Sequence, residues 1–516
     1  MNNRQSTSSR RLLWPILIVA VIGILAVAGF ILGRNLGLWP SADSEGTKES
    51  ETTAPEGTQP DTEEDKKPLY GDEYAIAAEP TYEADYHVTQ KNYGEYFCIL
   101  YCADAVDPGY YFESTSDTPE ELSEEVFDRI RRTEAKLGVT ISTVDGGTFG
   151  EYAHTIGMSL GAGERNVYQM VITHGYAGVT SMMTSGVAMD MTQLEGLNLS
   201  AGYWYPDMNQ DLRIGDTLRI AYNRFLLPDG YAIGFNREPI SRYVDEAELY
   251  DLAMQREWTL ETMLSYSVLG KGADGAEVPN YYGLNVENGL ALNALVTSSD
   301  IRMVENNPGG LEMSMLYDSA KISKLESMIS ELLQQETTNS LPYFKVLDLA
   351  PEQVLFEMKT LRGLTAGREG KPVERGLLPY PLYDREQENY RTLYAGGYIA
   401  IPYAIDHPEM VADVVETLAY ESYGVQSSYM DAVIRQIQGN EMPDKAMLQI
   451  IRDSMRVELA CVLQDPYASW IWNAMMQSCN TEDLTVNFVE YLSRDAIQSR
   501  LERNLYTAYT KIKGEN

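Results

Sequence analysis

The chain has 516 residues, of which 76 are acidic and 40 basic, giving a formal net charge of −36. That length exceeds what one ordinary hydrophobic core accommodates, so two or more lobes with tails are expected. The acidity argues against a nucleic-acid partner, because a polyanion would be repelled rather than steered in; it suits an exported protein, and it equally serves plain solubility.

Residues 1–11 carry Arg4, Arg10 and Arg11 and no acid. The uncharged apolar run from Leu12 to Gly33 is long enough, at about 1.5 Å per helical residue, to cross a ~30 Å hydrocarbon core. Basic residues ahead of it place that end in the cytoplasm and everything after it outside. The expected order is therefore a cytoplasmic basic tail (1–11), one transmembrane anchor helix (12–33) and an extracellular remainder at the cell membrane. Ala26-Val27-Ala28 would also serve a cleavable signal peptide, but the apolar run continues through Phe30-Ile31-Leu32, which favours the uncleaved anchor. From Ser41 to about Pro80 there are twelve acids and three lysines, with hardly an apolar residue before Leu69. Such a stretch buries too little surface to fold and reads as a solvated, self-repelling stalk, so 34–89 is taken as a disordered acidic linker.

The globular part opens with a β-prone run, Phe97–Tyr101. Thr118-Pro119-Glu120-Glu121 then has the form of a capping box, and Leu122, Val126, Ile130 and Leu137 supply a helical buried stripe. Val139–Ser142 returns as a second strand, and Gln169–Thr173 as a third. Ligands of open α/β sheets bind beyond the carboxyl ends of strands, so His174 and Tyr176, in the loop to Gly178, are candidate edge contacts. A histidine satisfied by its neighbours fits His174 as well. A Met- and Ser-rich helix is expected from there to about Met189.

Trp204, Tyr205 and Asp207 place flat aromatic faces beside a carboxylate. That combination suits a polyhydroxylated ligand, whose C–H face covers a ring while its hydroxyls donate to the acid; a packing role for Trp204 is equally open. Leu218–Tyr222 and Tyr231–Phe235 read as strands, Thr259 as a helix N-cap beside a structural Trp258, and Ile322–Leu333 as a helix. Gly397–Pro402 is a short strand closed by proline. Asp406, with Glu409 three residues on and Pro408 between, marks a helix start, and Met410, Val411, Val414, Val415 and Leu418 form its apolar face. Further amphipathic helices are expected over 441–516, with an aromatic turn at Trp470 and Trp472.

The chemistry of enzymes is thinly represented. Cys98, Cys102, Cys461 and Cys479 have no metal-ligand spacing and read as buried free thiols, an oxidised pair remaining open in an exported chain. With four histidines, no His-Glu-x-x-His and no phosphate loop, no metal, cofactor or catalytic residue is assigned. Gly157-Met158-Ser159-Leu160-Gly161 matches Gly-x-Ser-x-Gly, but the residues before it make a poor strand, so an exported hydrolase is a remote alternative.

Several of these stretches, taken in order, resemble a known family. They are Arg131-Arg132-x-Glu134 through Gly138-Val139; Tyr203-Trp204 and Asp207 through Leu212-Arg213-Ile214-Gly215-Asp216; Asn236-Arg237; Trp258-Thr259-Leu260-Glu261; and Gly376-Leu377-Leu378-Pro379-x-Pro381-x-Tyr383-Asp384-x-x-Gln387-x-x-Tyr390, followed by the Pro408-Glu409 helix that ends Ala419-x-Glu421-Ser422. The set, spanning about 92–465, is similar to the extracellular solute-binding proteins of carbohydrate-type ABC importers (family 1), in a branch common in anaerobic Gram-positive bacteria. Arg132, Tyr203 and Asp216 depart from the family's Asn, Trp and Gly, and no cysteine for lipid attachment lies near the anchor. The resemblance implies a two-lobe α/β fold of the periplasmic-binding-protein-like type II, with a hinge. Lobe one would comprise about 90–222 and 376–440, lobe two about 223–375 and 441–516. It further implies a small solute, of the sugar class, in the cleft, Tyr398 as a ligand contact near the crossover, delivery to ABC permease subunits, and no catalysis. The same fold serving as a surface sensor or interaction module fits the anchor and stalk equally well.

Overall fold

The computed structural model describes Tyr74, Arg503 and residues 80–463, apart from 114–117, 161–164, 176–177, 185, 272–280, 288, 307–312, 315–318, 341–348 and 367–372. The expected anchor, most of the linker, Tyr176, Trp470, Trp472 and Cys479 lie outside the described residues. No helix among the described residues is long and apolar enough to cross a membrane.

The chain begins as a βαβ unit. Strand β1 (Glu95–Tyr101) lies parallel to β2 (Val139–Asp145) in register from Glu95–Val139 to Tyr101–Asp145, and α1 (Glu120–Leu137) makes the crossover. Leu122, Val126 and Leu137 are buried as their spacing requires, and Arg129 and Thr133 join them. The expected capping box is not made: Pro119 occupies the N-cap without a side-chain hydrogen bond. At the other end Gly138 closes the helix at φ 59°, its N–H on the Glu134 carbonyl. A Cβ there would stand 2.1 Å from Asn92 Oδ1, so both the left-handed backbone and the space call for glycine. Strand β3 (Met170–Thr173) adds to the other side of β1 in parallel.

The Trp204 region forms a short turn followed by α2 (Pro206–Asp211). The strand expected over Leu218–Tyr222 is instead irregular, with Ala221 alone bridging Ile399. Side chains take the amides that a ladder would have used: Leu218 N–H goes to Asp190 Oδ1 (3.0 Å) and Tyr222 N–H to Asn209 Oδ1 (2.8 Å).

A second sheet follows, from β4 (Tyr231–Asn236), β5 (Tyr282–Val286), β6 (Thr338–Ser340), β7 (Val354–Thr360) and β8 (Arg375–Leu378), in the spatial order β8-β4-β7-β5-β6. β4 runs antiparallel to both β8 and β7, whereas β5 is parallel to β7 and β6. Helix α3 (Leu361–Thr365) leaves the end of β7, with Thr360 as its N-cap. Trp258 is buried, its indole N–H on the Pro379 carbonyl (3.0 Å), and Thr259 caps the helix Leu260–Ser267. Both placements agree with the sequence reading.

Gly376, expected to begin the return to the first lobe, lies inside β8 and pairs with Phe235. The first sheet is rejoined only at β10 (Tyr398–Ala400), which lies antiparallel on β3 and completes the order β10-β3-β1-β2. Between them, β9 (Thr392–Leu393) pairs in parallel with β11 (Met455–Arg456). Helices α4 (Pro408–Tyr420), α5 (Tyr423–Gln436), α6 (Glu441–Asp453) and α7 (Leu459–Val462) complete the described chain.

The N-cap of α4 is His407, without a side-chain cap. Asp406, expected in that role, instead holds Arg165 at 2.6 Å. α4 is not merely amphipathic: every residue from Met410 to Ala419 is buried, including Asp413 and Glu416. Ser159 lies on a π-helical turn, Ile156–Leu160, that continues the helix Phe149–Thr155. No strand leads into it, so the hydrolase elbow is not formed. Cys98, Cys102 and Cys461 are free thiols.

Candidate functional site

Parallel strands put their carboxyl ends, and the loops that follow, on one edge of a sheet. On the first sheet that edge carries the loop from Cys102 to Tyr111, the turn at Gly146–Phe149 and His174. On the second sheet the carboxyl ends of β5 and β7 lead to Glu287 and α3. Because β4 is antiparallel to β7, its entry residue Asp229 comes to the same edge. The two edges face each other: Arg362 Nη2, on α3, stands 3.8 Å from Asp107 Oδ2.

Each side chain there is held by its own element. Asp107 accepts the Gly109 amide (3.0 Å) at the head of a short Pro108–Tyr111 helix. Asp104 accepts the Phe149 amide (2.9 Å), and the Phe149 ring stacks on His174 with centroids 5.6 Å apart. His174 Nε2 lies 3.0 Å from the Ala395 carbonyl. A carbonyl can only accept, so the proton sits on Nε2. Burial lowers the imidazole's pKa and favours the neutral ring.

On the facing side Asp229 Oδ1 accepts the Arg362 amide (3.1 Å), and burial pushes its carboxyl up to about 6. Glu287 is raised as well, again chiefly by burial. The Arg362 side chain itself is 54% exposed. The edges therefore offer carboxyl acceptors, a guanidinium donor and a flat ring face. That set can hold a ligand rich in hydroxyls through both kinds of hydrogen bond.

The chain crosses between the sheets from Tyr222 to Tyr231 and again from Leu378 to Tyr398. The crossings are bound side by side, by Ala395 N–H on the Asp229 carbonyl (2.9 Å) and a bridge between Gly230 and Tyr394. Tyr222, Tyr394 and Tyr398 pack ring against ring, with centroids 4.8 and 5.5 Å apart.

The residues singled out from sequence separate in space. His174 is at the cleft edge, and Tyr176 is outside the described residues. Trp204 is 0% exposed, and its indole N–H lies 2.8 Å from Glu416 Oε2, a carboxylate that the Tyr203 hydroxyl also reaches. No face of it is open to a sugar, so its place is in the core. Tyr398, 2% exposed on β10, is likewise covered. Tyr205 and Asp207 line a different cavity of about 410 Å³, together with Tyr82, Arg391, Arg452 and Arg456. Asp107, Asp229, Glu287 and Arg362 carry no motif of their own. The strand-end rule pointed only to their edge, through His174.

No protein-family profile and no curated protein matches the sequence. Comparison with solved structures identifies the class of fold as an α/β fold of the periplasmic-binding-protein-like kind. The chain is similar to a periplasmic oligogalacturonide binding protein from Yersinia enterocolitica, at 12% identity and a TM-score of 0.52, over 80% of this chain and 99% of that one. An extracellular solute-binding protein of family 1 from Alicyclobacillus acidocaldarius shares 12% identity over 82% of this chain and 100% of its own, with a TM-score of 0.45. A maltose/maltodextrin-binding domain from Bdellovibrio bacteriovorus, bound to maltotriose, shares 10% over 81% and 100%, also at 0.45. What the first of these shares with the chain, at 12% identity, is the fold.

Proposed function

We propose that the chain is a membrane-anchored extracellular solute-binding protein that captures a small carbohydrate between its two sheets and presents it to an ABC permease. The observation that carries this reading is the facing of the two strand-end edges across Asp107 and Arg362. A ligand bridging the edges stabilises the closed arrangement, which is how hinged binding proteins convert affinity into a change of shape. In this reading Asp107 and Asp229 accept sugar hydroxyls, Arg362 donates to them, and Phe149 covers a C–H face. The similar fold of a protein named for oligogalacturonide binding supports a sugar, and so do the ordered family motifs between 92 and 465. Residues 12–33 are the anchor and the acidic stretch after them the stalk.

The test is a thermal-shift screen of the full chain against mono- and oligosaccharides, polyols and peptides. A ligand at a hundred times its dissociation constant adds ~2.7 kcal/mol of stability, enough to move the midpoint visibly. A sugar-specific shift that Arg362→Ala reduces, without altering the ligand-free midpoint, is the expected result. Silence across the panel from a cooperatively unfolding protein would sink the reading in favour of a surface-interaction module.

A further inference from the structure

The cavity of about 410 Å³ beside α2 shares no lining residue with the strand-end cleft, and its chemistry is of another kind. Arg391, Arg452 and Arg456 line it, with Tyr82 and Tyr205 as ring walls and Asp207 and Asp453 at its side. Directly behind the wall, Arg302 and Arg456 both hold Asp211, Arg391 holds Asp300, and the Arg224 guanidinium lies 4.9 Å from the Tyr82 ring. Five guanidiniums thus meet four carboxylates, in a chain whose formal charge is −36. The surplus is a single guanidinium, since Arg452 is itself paired with Asp453 at 2.8 Å, on a protein whose background charge is strongly negative.

The cavity is also built at a conformational cost. Tyr82 (φ 57°), Tyr205 (φ 48°) and Asp300 (φ 52°) are three of the six non-glycine residues with positive φ among the described residues. Tyr82 lies so close over Gly202 that a Cβ there would stand 2.2 Å from its ring. Left-handed backbone at both tyrosine walls is a local cost of the kind that gathers at ligand sites.

The carboxylates around it are unequal. Asp211 is buried and takes Nε and Nη2 of Arg456 at 2.9 and 2.8 Å. Asp207, by contrast, is 89% exposed and stands 3.6 Å from Arg456 Nη1, a distance at which an incoming anion can displace it.

We propose that this cavity binds a small ligand bearing an oxyanion, a carboxylate or a phosphate, which displaces the Asp207 carboxylate from Arg456 and is held by Arg456 with the neighbouring Arg391 and Arg452, while Tyr82 and Tyr205 cover its body. A guanidinium presents a planar fork of donors that matches either anion. The site is separate from the solute cleft, and a solute could occupy both only by being acidic.

The test is calorimetric titration of the full chain with galacturonate, with its neutral counterpart galactose, and with inorganic phosphate, at low and high salt. The expected result is that at least one anion binds, with affinity falling as salt rises, and that the double variant R391Q/R452Q weakens it about tenfold or more. Asp207→Asn, by removing a competing negative charge at an exposed position, tightens it about threefold. Galacturonate alone identifies an acidic sugar; phosphate alone identifies a phosphorylated ligand. Binding of neither anion overturns the proposal, as does anion binding that R362A abolishes and R391Q/R452Q leaves unchanged, which would place the anion in the strand-end cleft. Should the double variant not fold, D207N decides alone: tighter binding supports the site, and unchanged or weaker binding overturns it.

Discussion

Replacing Trp204 with Phe tests whether the most conspicuous aromatic of the chain is core or ligand platform. Trp204 gives its indole N–H to Glu416 at 2.8 Å, and Glu416 otherwise receives the Tyr203 hydroxyl and the Asn198 amide (3.2 Å). Burial already holds the Glu416 carboxyl above its ordinary range. Losing a hydrogen bond to a buried charged acceptor costs ~1.5–3 kcal/mol, and shrinking an indole to a phenyl leaves a void worth about another 1 kcal/mol. We expect Trp204→Phe to lose about 3 kcal/mol of stability, read as a lower urea midpoint with unchanged slope, while any ligand affinity of the folded protein stays as it was. A carboxyl raised on folding contributes stability that is full below its ordinary pKa of 4.5 and is lost as pH rises through the folded value. Since the variant removes a donor to the charged form, its defect should narrow at acid pH, where Glu416 is protonated. A variant as stable as the parent but weakened in sugar binding would refute the core assignment.

Asp444 is fully buried and accepts from Arg237 (2.6 Å), Tyr250 (2.8 Å) and the Leu377 amide (2.8 Å), tying α6 to β8, to the residue that follows β4 and to the helix Glu246–Met254. Asp444→Asn leaves Arg237 without its buried carboxylate and should cost ~3–5 kcal/mol in a denaturant titration. Glu458, buried and receiving the amides of Met303, Val304 and Ala460, is pushed by burial from 4.5 up to about 7. That rise corresponds to ~3 kcal/mol of stability, present below pH 4.5 and lost as pH rises through 7, so Glu458→Gln should flatten the fall in unfolding midpoint over that window. Phe149→Ala, at the cleft, should weaken carbohydrate binding about tenfold in a fluorescence or calorimetric titration and leave His174 more exposed.

Much of the fold follows from local periodicity. The strands β1, β2, β3 and β4 and the buried stripes of α1 and α4 stand where alternation and helical spacing put them, because each is a property of a few neighbouring residues. The failures are places where a distant partner decides. Thr118 and Asp406 have capping chemistry, but Pro119 and the Arg165 pair take precedence. Leu218–Tyr222 alternates like a strand, yet Asp190 and Asn209 claim its amides. Trp204 next to Asp207 looks like a sugar platform until Glu416, 212 residues away, takes the indole N–H. The cleft was legible only as an edge, through His174. Arg362 and Asp107 share no spacing or motif, and only the alignment of strand ends in two sheets joins them.

The crossings between the sheets have a mechanical consequence. The segments around Asp229–Gly230, Thr392–Ala395 and Ser454–Arg456 run side by side, joined by Gly230 with Tyr394 and by β9 with β11. Such a ribbon bends across its width with little loss of hydrogen bonding, whereas sliding one segment along another breaks several bonds together. Any opening of the sheets of the kind proposed above would thereby be reduced to nearly one angle. Two spectroscopic labels, one near Asp107 and one near Arg362, would then follow the entire opening as a single distance.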